Sequence, residues 1–132
     1  KVARPDTGWR AVTLGKGGRG SVLGPVAESD ARARLYDLLQ LWARGQCELL
    51  PLPPNTAAAH VEANLRGNDD DIVKRAWEFE CDVAWERFGF TPQRFWDLKH
   101  RPTAPGDGPG RSAFEALSRR VFEPLMAEEG ML

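Results

Sequence analysis

The stretch Gly15-Lys16-Gly17-Gly18-Arg19-Gly20, GKGGRG, lies between two apolar runs, WRAVTL at 9–14 and SVLGPV at 21–26. A phosphate-cradling loop of the Walker type needs its lysine followed by Ser or Thr, and then a helix whose first amides point at the phosphates. Here Lys16 is followed by Gly17, and the run after Gly20 is broken by Gly24 and Pro25, which does not open a helix. Four glycines in six residues supply the positive-φ positions that a hairpin connection uses. The stretch therefore predicts a hairpin with strands at 9–14 and 21–26. Two strands alone are barely stable in water, so they must pack on helices or join a larger sheet.

Beyond Glu28 the pattern changes from short alternating runs to helical periodicity. Leu35, Leu38, Leu39 and Trp42 recur at three- and four-residue steps, with Ser29 or Asp30 as cap and Gly45 as stop, which predicts a helix near 30–44. LLPLPP at 49–54 forbids a helix and favours extended chain. Asn55 or Thr56 is placed to cap a second helix to residue 66, closed by Gly67. A third is expected near 70–88, opened by acids at 69–71 that suit a helix's positive end. Thr91-Pro92 starts a short helix carrying Phe95 and Trp96. RPTAPGDGPGRS at 101–112 reads as an exposed loop, and a last helix near 112–128 contains Pro124, which should kink or shorten it. The expected core is the set of inward stripes: Leu35, Leu38, Leu39, Trp42, Val61, Leu65, Ile72, Ala76, Phe79, Val83, Leu117, Val121 and Leu125.

A chain of 132 residues is the size of one domain. Its 18 Lys plus Arg oppose 19 Asp plus Glu, a net charge of −1, which excludes a chain-wide basic surface and leaves room only for local nucleic-acid contact. No apolar run reaches membrane-spanning length. Cys47 and Cys81 are too few for a disulfide framework and lack metal-site spacing, which fits a cytoplasmic location.

The candidate chemistry is sparse. Asp69, Asp70 and Asp71 are consecutive, so their carboxylates diverge around a helix start and fit capping better than metal binding. His60 and His100 belong to no zinc or nucleophile motif, and nothing local supports a pair of either with Cys81. Glu78, Asp82 and Glu86 line one helical stripe, with Glu80 off it, and neighbouring Lys74 and Arg87 make a solvated charged face sufficient. No cofactor is indicated.

The order of pieces carries a resemblance. A basic hairpin is followed by a helix ending WARG, then CELLPLPPNTAAAHVEA, NDDDIVKRAWEF, RFWDL and SRRVFEPLMAEEG. This resembles the C-terminal domain of the gamma chain of exodeoxyribonuclease V, the RecC subunit of the bacterial RecBCD helicase–nuclease, from about Trp9 to the C terminus. It implies residues 1–8 as a lead-in from a longer chain and 9–129 as a single domain. The implied fold is α+β: a small antiparallel sheet packed by about four helices, part of an inactive restriction-endonuclease-like, PD-(D/E)XK-type fold. Active members carry a carboxylate, one variable residue and a lysine on the second hairpin strand, and neither 21–26 nor 12–14 has an acid or a lysine.

The resemblance therefore implies a non-catalytic domain in double-strand-break repair and recombination. Its expected partners are RecB- and RecD-like subunits and, through the assembly, a double-stranded DNA end. Arg10, Lys16 and Arg19 are the candidate DNA-backbone contacts, helped by Lys1 and Arg4; Phe95 and Trp96 are the candidate partner contacts. The alternative from a different class is a stand-alone helical protein-interaction module.

Overall fold

The computed structural model describes residues 10–14, 20–67, 70–88 and 99–131. In chain order these form strands β1 (Ala11–Leu14) and β2 (Gly20–Leu23), helices α1 (Glu28–Gly45), α2 (Pro54–Arg66), α3 (Asp70–Phe88) and α4 (Ala113–Glu128), and strand β3 (Glu129–Met131). The class is α+β, with four helices close to the spans their periodicity predicts. The chain divides into two compact units, Lys1–Glu48 with Leu125–Leu132, and Leu49–Pro124.

In the first unit β1 and β2 pair antiparallel, Ala11 opposite Leu23 and Leu14 opposite Gly20. Five residues, 15–19, remain to connect them and lie outside the described residues. After the glycines the chain enters a strand and not a helix, which removes the Walker-type reading. β3 pairs antiparallel with the other edge of β2, Leu23 opposite Glu129 and Ser21 opposite Met131, giving the order β1-β2-β3. The sequence reading ended at the last helix and had no third strand there. Three residues with a central glycine carry too little pattern to announce one.

α1 corrects two expectations. Its N-cap is Ala27, which offers no side-chain hydrogen bond, so neither Ser29 nor Asp30 caps it. Ser29 Oγ instead donates to Asp30 Oδ1 at 3.4 Å, and Glu28 and Asp30 place negative charge on the first turn, where the helix dipole favours it. The second correction is larger. Leu35, Leu38, Leu39 and Trp42, expected in the core, are all exposed. Leu41 is buried, with Arg34, Asp37 and Arg44 half-buried beside it. Periodicity identifies residues that share a face; it does not say that anything lies against that face.

The second unit is built on small side chains. α2 buries Ala57, Ala59, Val61 and Ala63 together with Thr56, α3 buries Val73, and α4 buries Ala113, Phe114, Ala116, Leu117 and Ser118. Alanine faces let helix backbones approach closely, and the space that remains is filled by Phe114 and Leu117, both essentially inaccessible. Val61 and Leu117 are buried as the stripes predict, whereas Leu65 and Phe79 are exposed, as is Leu125 farther along α4. Ile72, Ala76 and Val121 are half-buried, and the Val83 side chain lies outside the described set. Ser118 is tolerated inside because its hydroxyl donates to the Phe114 carbonyl at 2.6 Å.

The termini of these helices use both local and distant partners. α4 begins with a capping arrangement: Glu115 N–H donates to Ser112 Oγ at 3.2 Å, and Arg111 N–H donates to Glu115 Oε2 at 2.9 Å. α2 ends on Gly67 at φ +102°, the left-handed stop the sequence anticipates. α2 starts differently from expectation, with Pro54 in its first turn and Pro53 as an N-cap that offers no side-chain bond. Asn55 and Thr56 lie inside that first turn and are themselves capped from α3, by Glu80.

Residues 101–112 are exposed over most of their length, as expected, but they are pinned at several points. Asp107 is fully buried, accepting from Ala104 N–H at 2.6 Å and returning its own N–H to the Ala104 carbonyl at 3.1 Å. Arg120 donates to the Gly106 carbonyl, and Ala113 N–H to the Arg101 carbonyl. At Gly110 a β-carbon would come within 2.6 Å of the Ala116 backbone nitrogen, so only glycine lets the loop meet α4 there. Pro124 does not end α4, which continues to Glu128.

Candidate nucleic-acid and partner interface

Arg10 immediately precedes β1 and is exposed. Lys16 and Arg19 fall in the connection between β1 and β2, outside the described residues, as do Lys1 and Arg4. Phe95 and Trp96 lie in 89–98, also outside them.

Across the described sheet, β1 reads AVTL, β2 GSVL and β3 EGM. The hairpin strands contain no acid and no lysine; the single carboxylate residue, Glu129, stands on β3 in register with Leu23. Metal-assisted phosphodiester hydrolysis needs carboxylates gathered around a cation. Among the described residues, no three His, Cys, Asp or Glu side chains are gathered in that way.

The acids and histidines singled out by sequence have other tasks. Glu80 spans the start of α2: Asn55 N–H donates to Oε1 at 2.8 Å, while Thr56 N–H at 2.8 Å and Thr56 Oγ1 at 2.6 Å donate to Oε2. A carboxylate thus satisfies amides that the first turn leaves without intrahelical partners, at the end where the dipole favours negative charge. The His60 ring packs on Phe114 with centroids 5.3 Å apart, and its Nε2 lies 3.0 Å from Asn64 Nδ2. Lys99 Nζ stands 5.8 Å from the centroid of that same Phe114 ring. These contacts make His60 a packing residue. His100 is exposed, and the Cys81 side chain lies outside the described residues.

A shallow groove of about 270 Å³ runs along α2 and α4, lined by Val61, Asn64, Leu65, Glu115, Arg119 and Glu123. Arg119 and Glu123 pair at 3.4 Å beside it, each nearly half exposed, where an ion pair is screened and adds little. The third charged residue of its lining, Glu115, accepts from Arg111 N–H.

Sequence reasoning missed the Glu80 cap and the burial of Asp107. For Glu80 the available signal was Pro54 at the helix start, which leaves the first turn with no capping side chain of its own. For Asp107 it was an acid between two glycines, at 106 and 108.

No curated protein and no solved structure matches the chain. The family model of the RecC C-terminal domain matches residues 7–65. That span holds β1, β2, α1 and nearly all of α2, including the WARG and CELLPLPPNTAAAHVEA segments, but not the motifs from NDDDIVKRAWEF onward. Over residues 7–65, therefore, the chain is similar to the RecC C-terminal domain.

Proposed function

We propose that this chain is the non-catalytic C-terminal domain of the gamma subunit of a bacterial RecBCD-type helicase–nuclease, acting in double-strand-break repair and recombination. The observation that carries the reading is the family match across the hairpin and the two helices after it. On this reading the α+β core is an inactive member of the PD-(D/E)XK nuclease class. The hairpin strands, lacking any acid–x–lysine arrangement, support that view. The domain works as a scaffold that meets RecB- and RecD-like subunits in the cytoplasm. Among the described residues no helix is long and apolar enough to cross a membrane.

Arg10, Lys16 and Arg19 are the proposed contacts to the DNA backbone. Phosphate contacts supply affinity and register without sequence readout, which suits a hairpin tip built mostly of glycine. Replacing Lys16 and Arg19 with Ala in the assembled enzyme is expected to weaken duplex-end binding and to flatten its salt dependence by up to about two units of slope. Unchanged affinity and slope would leave GKGGRG as a turn only. For the non-catalytic part, the chain with magnesium or manganese is expected to leave linear duplex DNA intact. Cleavage abolished by replacing Asp70 or Glu80 would overturn it.

The second reading, a stand-alone helical interaction module, is favoured by one observation. The largest apolar side chains of α1 are displayed and not buried.

A further inference from the structure

Arg101-Pro102-Thr103-Ala104-Pro105 opens the long loop before α4, with no helix, strand or turn through Ala104. Its backbone is narrowly restricted by its own sequence. A proline fixes its φ at about −65° and pushes the residue before it toward extended or polyproline-II values. Pro102 and Pro105 therefore restrain Arg101 and Ala104 as well as themselves. Pro105 is restrained a second time. Asp107 N–H donates to the Ala104 carbonyl at 3.1 Å, and Gly106 between them has φ +91°. That is a type II turn, whose second residue takes φ of about −60° and ψ of about +120°, inside the polyproline-II region.

Burial follows the same geometry. Arg101 and Ala104 are half-buried, whereas Pro102, Thr103 and Pro105 are exposed. Inward residues three positions apart match the three-residue turn of a polyproline-II helix. The inward residues are also the ones tied to the rest of the unit. The Arg101 carbonyl accepts from Ala113 N–H at 2.9 Å, and its guanidinium donates to the Leu49 carbonyl at 3.3 Å. Ala104 N–H donates to buried Asp107 Oδ2 at 2.6 Å. Pro102 and Pro105 are left as an uncharged outward ridge, one turn or about 9 Å apart.

An uncharged ridge offers nothing to a phosphate backbone, which is held by cations. Its complement is a groove lined by aromatic side chains, against which the rings of a preformed polyproline-II segment pack. Because both ends are already held, little conformational entropy is lost on docking. We propose that residues 102–105 form a docking ridge for an aromatic-lined groove on another protein. Resting on the RecC-type reading above, that groove belongs to a RecB- or RecD-like subunit of the assembly. The ridge lies outside residues 7–65, so it adds a contact that the family match does not reach.

The test uses the whole chain-bearing subunit with its RecB- and RecD-like partners. Thr103→Cys, labelled with a benzophenone maleimide, is irradiated in the assembly, and the peptides joined to position 103 are mapped by mass spectrometry. Cross-links to a partner segment rich in Trp, Tyr or Phe are expected. Pro102→Glu leaves the Ala104–Asp107 turn in place and should weaken subunit association about 10-fold or more, as loss of an interface anchor does. Pro102→Ala should weaken it less, and neither variant should shift the unfolding transition. A wild-type subunit that associates normally overturns the inference alone if position 103 reaches no partner, or only segments without aromatic residues. Unchanged association of Pro102→Glu does the same. A wild-type subunit that associates with neither partner overturns this inference and the RecC-type reading together. Loss of fold in both Pro102 variants also overturns the inference, because the ridge would then serve the protein's own packing.

Discussion

In the Leu49–Pro124 unit the buried positions include alanines, a threonine, a serine, Pro51, Val61, Val73, Phe114 and Leu117, and the long loop before α4 is tied down by backbone bonds and by Asp107. In the unit formed by Lys1–Glu48 and Leu125–Leu132, Leu41 is the one buried apolar residue among those described, while the leucines of α1 face outward. Both units contain helices with apolar periodicity, yet only one uses that periodicity to fill its own interior. The difference shows that helical spacing and burial are separate facts. Spacing is local to a helix, whereas burial requires a second surface of matching shape.

Mutations measure that contrast, beginning where the effect is largest. Phe114→Ala removes a ring enclosed by α4's neighbours and touched by His60, and should lower unfolding free energy by about 3–5 kcal/mol in urea titration. A loss below about 1 kcal/mol, the typical cost of a point change, would mean that this unit has no tight interior. Next comes Glu80→Ala, which leaves Thr56 and Asn55 at the start of α2 without their acceptor. The expected cost is about 1–3 kcal/mol. Glu80→Gln, which keeps one oxygen acceptor, should recover part of it. The smallest effect belongs to α1: Leu39→Ala should change stability by less than about 0.5 kcal/mol, as a change at an exposed position does. A loss of about 2–5 kcal/mol, the range for a buried leucine, would return Leu39 to the core and erase the contrast.

Much of the local structure was legible in sequence. Gly67 stops α2, Ser112 starts α4, and the glycines of GKGGRG separate two strands that pair as a hairpin. Each of these depends on the chemistry of a few neighbouring residues. What was not legible depends on long separation. Glu80 caps a helix that begins more than twenty residues earlier, and its position off the Glu78–Asp82–Glu86 stripe does not by itself mark it as a cap. The exposure of Leu35 and Trp42 depends on what the rest of the chain sets against α1, which no local pattern encodes. The expected core took Val61 and Leu65 from α2, whereas the buried positions there are Val61 with Ala57, Ala59 and Ala63, because small side chains are what allow helices to approach. The functional reading came from the order of motifs, and the candidate residues Lys16, Arg19, Phe95 and Trp96 lie outside the described residues.

The central functional claim is that this chain serves as a domain of a RecC-type subunit within a larger assembly. The most direct measurement is co-purification of the chain-bearing subunit with its RecB- and RecD-like partners, with and without residues 9–129. The account predicts that the intact subunit assembles and binds duplex ends, and that the deletion loses partner association while the remainder stays soluble. Full assembly and undiminished end binding by the deletion variant would contradict it.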